Sequence, residues 1–201
     1  MGSPLPIVIV SGLPRSGTSM MMQMLEAGGL SIFADGTRAA NDDNPRGFYE
    51  SREVRSLPTD AAFLAEAKGR AVKVVSPLVR SLPATYAYRI LFMDRALDEI
   101  LMSQQRMLER AAVGDRSPSS PIEQELRAAF LSVLHRVDAF VQASSNIEAL
   151  TISHRDAVGN PMSVARAVSA FLVDFGLDPE DEAQLSRMAS VVSLELHRSH
   201  I

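Results

Sequence analysis

Cysteine is absent from this 201-residue chain, and so is tryptophan. Without thiols there is neither a disulfide framework nor a thiolate metal site, and the composition suits a reducing compartment. Excess basic charge is also missing. Twenty Lys and Arg stand against 24 Asp and Glu, for a net charge of −4 and a pI near 5.6. A nucleic-acid binder is expected to carry a basic face or a basic balance, and neither is visible. A small anionic ligand stays admissible, because a few well-placed cations set the local field whatever the total charge. Long hydrophobic runs are lacking too. Met1–Pro6 has no basic n-region, and the run Ile7–Val10 is too short for a signal peptide or a bilayer span. The sixth position lacks the Ser or Thr of a myristoylation signal. The expectation is a soluble, unanchored, cytoplasmic protein that meets neither nucleic acid nor membrane; a homo-oligomer is compatible with it. There are no repeats, heptads or low-complexity tracts.

What is present is ordinary globular composition, 46% hydrophobic and 22% charged, enough for one domain over residues 1–201. Pro6–Ser11 is a β-branched apolar run and reads as a buried strand ended by Gly12. Thr18–Ala27, rich in Met and Leu, reads as a helix stopped by Gly28 and Gly29. Ser31–Leu57 is full of turn signals and reads as a long irregular segment, a kind of loop that is often functional. A helix is expected over Thr59–Lys68. Ala71–Val75, Tyr88–Met93 and Glu148–Ser153 read as further strands. Leu97–Ala112, Pro121–Ala143, Pro161–Phe175 and Pro179–Met188 read as helices, with a loop over Gly114–Pro121. Strands alternating with helices predict a three-layer α/β/α domain around a mainly parallel sheet of about four or five strands, like that of P-loop NTPases.

The chemistry concentrates in Gly12-Leu-Pro-Arg-Ser-Gly-Thr-Ser19, between the first strand and the first helix. Its two glycines are five positions apart. Such a loop gathers backbone N–H groups, and the helix behind it presents its positive end, so it favours an anion. The glycines permit the tight turn and close approach to a ligand. An NTP-hydrolysing loop has Lys directly after its second glycine. Here Thr18 stands there, and the basic residue is Arg15, inside the loop. A guanidinium can bridge two anionic oxygens at once.

Leu13-Pro14-Arg15-Ser16-Gly17-Thr18-Ser19 resembles the 5′-phosphosulfate loop of the sulfotransferase family, in the Arg version common to its bacterial branch. The resemblance implies that Pro14, Arg15, Ser16, Gly17, Thr18 and Ser19 bind 3′-phosphoadenosine 5′-phosphosulfate (PAPS), with 3′-phosphoadenosine 5′-phosphate (PAP) as product. A second likeness follows the strand Tyr88–Asp94. Arg95 and Ser103, eight positions apart, match the family pair that holds the 3′-phosphate, with Glu99 in the usual Asp place and Leu97 in place of the usual Pro. A third lies in Gly69–Pro83, where Lys73 matches a family Lys at the transferring sulfonate. The catalytic His expected nearby is replaced by Val75 or Ser76. The late helix from Pro161 to Phe171-Leu172 resembles a family packing signature, whereas the glycine-rich loop that grips adenine is not recognisable.

The resemblance implies in-line sulfonate transfer from PAPS to a hydroxyl or amine on a small-molecule or glycan-type acceptor, with Arg15, Lys73 and a base as the catalytic groups and no metal ion. Glu50 is the first candidate base, and Asp35, Asp42 and Asp43 are the others. Arg38 and Arg46 are candidates for an anionic acceptor. The four histidines, His135, His154, His197 and His200, are scattered in sequence. Two other readings remain open: a P-loop kinase or NTPase, for which Asp94 is the only candidate magnesium ligand, and a nucleotide-binding module without catalysis.

Overall fold

Strand β1, Ile7–Gly12, is buried along its whole length, and its alternation decides the architecture. Ile7 and Ile9 join one apolar cluster, Val8 and Val10 the other, because successive strand side chains leave opposite faces of a sheet. A strand apolar on both faces needs a layer on each side. The computed structural model, which describes residues 5–36, 47–111 and 120–192, supplies both layers. Four more strands are β2 (Ile32–Phe33), β3 (Ala71–Lys73), β4 (Tyr88–Asp94) and β5 (Ile147–Ser153). They form one sheet in the order β2-β3-β1-β4-β5, and every pairing is parallel.

The helices, in chain order, are α1 (Thr18–Gly28), α2 (Glu53–Ser56), α3 (Ser76–Val79), α4 (Leu97–Ala111), α5 (Ser120–Ala143), α6 (His154–Gly159), α7 (Pro161–Phe171) and α8 (Glu182–Ser190). One face of the sheet carries α1, α7 and α8, whose Met21, Met24, Val164, Val168, Leu185 and Met188 close over Val8 and Val10. The other face is covered by Val54, Phe63, Leu64, Val79 and Val137. Each large side chain taken fully out of water contributes about 1.5–3 kcal/mol.

The strands and long helices fall where the sequence places them, within a few residues. Four differences stand out. The helix expected over 59–68 is replaced by a 3₁₀ turn, Ala62–Ala65, preceded by the single-turn α2. Phe63 stacks on Phe33 of β2 with ring centroids 5.6 Å apart, and Gly69 turns with φ +71° directly before β3. Tertiary packing there overrides the helical propensity of a short Ala-rich run. The segment 31–57 contains a strand, β2, too short to show an alternating pattern. Finally, α7 stops at Phe171, and a 3₁₀ turn over Val173–Phe175 leads to Gly176. The last helix starts at Glu182, because the Asp181 carboxylate accepts the N–H groups of Ala183 and Gln184 at 3.0 and 2.9 Å.

In this strand order β1 is central, and the chain goes to β3 on one side and to β4 on the other. The carboxyl ends at such a reversal form a crevice, and ligands of open α/β sheets bind there.

Candidate active site

The loop Leu13–Gly17 leaves β1 at that crevice. Its shape demands small residues at both ends. A Cβ on Gly12 would lie 2.3 Å from Ser16 Oγ and 2.7 Å from the Met93 carbonyl oxygen, and one on Gly17 would lie 2.7 Å from His154 Cδ2. Gly17 also has φ +98°, in the left-handed region. Arg15, which is not glycine, is held at φ +70°. Non-glycine residues in that conformation cluster at functional sites. Gly17 offers no side chain to cap α1, and the first turn contains no acidic residue. The positive end of the helix is therefore open to an anion.

Two cations meet at the loop. Gly12 pairs with Met93 in the sheet register, so the chain leaves β1 and β4 side by side. Arg95, just past β4, donates from Nη1 to the Arg15 carbonyl oxygen at 2.9 Å and from Nε to Glu99 Oε2 at 2.9 Å. Its side chain is only 9% exposed. Its Nη2 has no hydrogen-bond partner among the described residues. Arg15 donates from Nε to the buried Ser103 Oγ, on α4, at 3.0 Å. Arg95 and Ser103, remote in sequence from Arg15, thus both meet it at the carboxyl ends of β1 and β4.

A third cation completes it. Lys73 pairs with Val10 across the sheet and is 8% exposed. Its ammonium donates to Ser19 Oγ at 3.1 Å and to the Phe48 carbonyl at 2.9 Å, and lies 3.4 Å from Glu50 Oε1. The Phe48 ring centroid is 5.9 Å from the same nitrogen. Several acceptors around a buried ammonium offset its desolvation. The carboxylate proposed as a base and the lysine proposed to touch the reacting group are therefore neighbours, and Ser19 links them to the loop.

The remaining candidates fall in several places. Pro14 is exposed at the outer side of the loop, and Thr18 is buried at the start of α1. Ser16 is fully buried; its Oγ has no hydrogen-bond partner among the described residues and faces Gly12. Asp35 accepts the Arg52 N–H at 2.7 Å, with the Arg52 guanidinium 3.9 Å away. Asp94 is exposed at the end of β4. Arg38, Asp42, Asp43, Arg46, His197, His200 and most of the segment 114–121 lie outside the described residues. His135 is exposed on α5.

His154 is the residue that sequence reasoning passed over. It follows β5, is 6% exposed and packs its ring against Gly17. The available signal was its position directly after a predicted strand, at the carboxyl edge of a parallel sheet. Among the described residues no three His, Asp or Glu side chains gather as a metal site, and no helix is long and apolar enough to cross a membrane.

No family model matches the sequence, and no curated protein matches it either. The fold does have solved counterparts. A sulfotransferase from Mycobacterium avium is similar with a TM-score of 0.58, at 12% identity, over 94% of this chain and 68% of that one. A sulfotransferase from Alicyclobacillus acidocaldarius is similar with a TM-score of 0.55, at 13% identity, over 97% of both chains. The five-stranded parallel sheet with its loop after β1 is thus the fold of the sulfotransferases.

Proposed function

We propose that this chain transfers a sulfonate group from PAPS to a hydroxyl or amine of a small-molecule or glycan-type acceptor. The observation that carries the reading is the linkage Arg95–Arg15–Ser103. It gathers two guanidiniums and a hydroxyl at the carboxyl ends of β1 and β4, beside the N-terminus of α1, as an anionic ligand requires. The residues present fit that ligand. Arg95 has an Nη2 to spare, and α1 opens uncapped behind the loop.

In this reading the loop and Arg15 hold the 5′-phosphosulfate, and Arg95 and Ser103 hold the 3′-phosphate. The acceptor oxygen attacks sulfur in line. A new S–O bond forms as the bond from sulfur to the 5′-phosphate oxygen breaks, and that oxygen keeps the electron pair in departing PAP. The acceptor proton passes to Glu50. Arg15 and the Lys73 ammonium stabilise the charge that grows on the leaving side, which a preformed site does without reorganising. Thr18 and Ser19 add hydroxyl donors.

The test is calorimetric titration with PAP of the wild type, Arg15→Ala and Arg95→Ala. Each variant is expected to lose about 1.5–3 kcal/mol of binding, the worth of a charge-assisted hydrogen bond. Unchanged affinity in both variants overturns the assignment. Turnover of magnesium-ATP, with no binding of PAP, would point to a kinase or NTPase instead. The Thr at position 18, where those enzymes carry Lys, speaks against that outcome.

A further inference from the structure

Tyr49 stands out from the machinery described so far. It is the second non-glycine residue of the described chain with positive φ, at +53°, a conformation that is an outlier for a bulky side chain. Its phenol donates to Glu26 Oε2, on α1, at 2.6 Å, and its ring packs against the apolar cluster beneath α1. The residues on either side both reach Lys73: the Phe48 carbonyl accepts from its ammonium, and the Glu50 carboxylate lies beside it. On the far side the Glu50 carbonyl accepts the Asp35 N–H at 3.3 Å.

We propose that Tyr49 is a positioning residue whose phenol, bonded to Glu26, pins the strap 47–50 to α1 so that the Phe48 carbonyl and the Glu50 carboxylate converge on Lys73. In an extended chain, the carbonyl of one residue and the side chain two positions later point in different directions. A left-handed residue between them turns the chain and brings both to one point. That conformation is strained and persists only where the surroundings fix it. The phenol's bond to Glu26 and the packing of the ring are two such fixings. The strap runs from Glu26 on α1, past Lys73 at the end of β3, to Asp35 just beyond β2. Its catalytic meaning rests on the sulfonate-transfer reading, since it sets where the proposed base stands. Its existence does not.

The chain has only two lysines, Lys68 and Lys73, which makes a direct test possible. Lys68 is exposed and serves as an internal reference. Brief labelling with acetic anhydride, read by peptide mass spectrometry, gives the ratio of Lys73 to Lys68 acetylation without any ligand. Tyr49→Phe and Glu26→Ala should each raise that ratio about two- to tenfold, the scale of one lost hydrogen bond. Glu26→Gln keeps an acceptor oxygen and should restore the ratio to within about twofold of wild type. The double variant Tyr49→Phe/Glu26→Ala should go no further than either single one. An unchanged ratio in both single variants overturns the proposal. So does a parallel rise at both lysines, which reports a loosened fold rather than a released strap. PAP affinity, measured alongside, should be kept in Tyr49→Phe. If the wild type failed to bind PAP, the sulfonate reading would fall, and the labelling result would still decide on the strap.

Discussion

Arg95 hydrogen-bonds the backbone of the other arginine in the crevice: its Nη1 lies 2.9 Å from the Arg15 carbonyl oxygen. Arg15 in turn holds Ser103 Oγ at 3.0 Å through its side chain. Arg95 therefore does two things. It offers charge, and it steadies the strained φ of +70° at Arg15.

The first prediction follows from that coupling. Replacing Arg95 by Ala removes a cation and loosens Arg15 together, so the two sites do not act independently. In a double-mutant cycle of Arg15→Ala and Arg95→Ala, the losses in PAP affinity should fall short of additivity by about 0.5–3 kcal/mol, the range for residues in one hydrogen-bond network. Calorimetry on the four proteins measures this. Additive losses would mean that the backbone contact transmits nothing.

A second prediction concerns Gly17 and the overlooked histidine. Gly17→Ala meets two obstacles: a φ of +98° and a Cβ 2.7 Å from His154 Cδ2. The first is a backbone cost of about 1–3 kcal/mol; the second is a collision with a buried ring. Adding His154→Ala should relieve only the collision. Thermal unfolding should therefore rank Gly17→Ala below Gly17→Ala/His154→Ala once the cost of His154→Ala alone is subtracted. Equal ranking would show that the ring moves aside freely.

Which parts of this were legible in the sequence depends on range. The loop Gly12–Ser19 could be read because its determinants are local: a β-branched run, two glycines and a Met-rich helix behind them. Arg95 and Ser103 were legible only as a spaced pair; that they meet Arg15 follows from the register Gly12–Met93, which no local pattern encodes. Glu50 lay in a segment that read as irregular, and its place beside Lys73 depends on the positive φ of Tyr49, a residue with no intrinsic preference for it. β2 escaped notice because two residues, Ile32 and Phe33, cannot display an alternation. The expected helix over 59–68 failed because Phe63 answers to Phe33 rather than to its own neighbours. His154 was invisible as a site residue because nothing beside it in sequence reports that Gly17 lies against it.

A third prediction uses Tyr88, which is 1% exposed and donates to the Pro83 carbonyl at 3.0 Å. Burial first, and the nearby Tyr86 second, push its phenol well above the ordinary value near 10. The raised pKa means that the folded chain keeps a proton the unfolded chain releases. Its contribution is therefore fully present below the unfolded pKa and is lost as the pH climbs above it towards the folded one. Urea midpoints should fall above about pH 10, and Tyr88→Phe should make that alkaline fall shallower. An identical slope in the variant would assign the loss to other groups.

The last prediction separates stability from chemistry at Lys73 and Glu50. The ammonium is 7% exposed and the carboxylate 28%, so the two partners differ in what they risk. Glu50→Ala leaves a buried cation with a weakened set of acceptors and should destabilise the fold by about 1–3 kcal/mol. Lys73→Met removes the buried charge, keeps an unbranched side chain of similar reach, and leaves Glu50 partly in water. The double variant should therefore unfold at a higher urea concentration than Glu50→Ala alone, although it lacks one more polar group. In the proposed reaction it should still be inactive, because both the base and one of the two cations on the leaving side are gone. Recovery of stability without recovery of transfer from PAPS is the expected pattern. A double variant no more stable than Glu50→Ala would mean that the carboxylate serves the strap and not the ammonium.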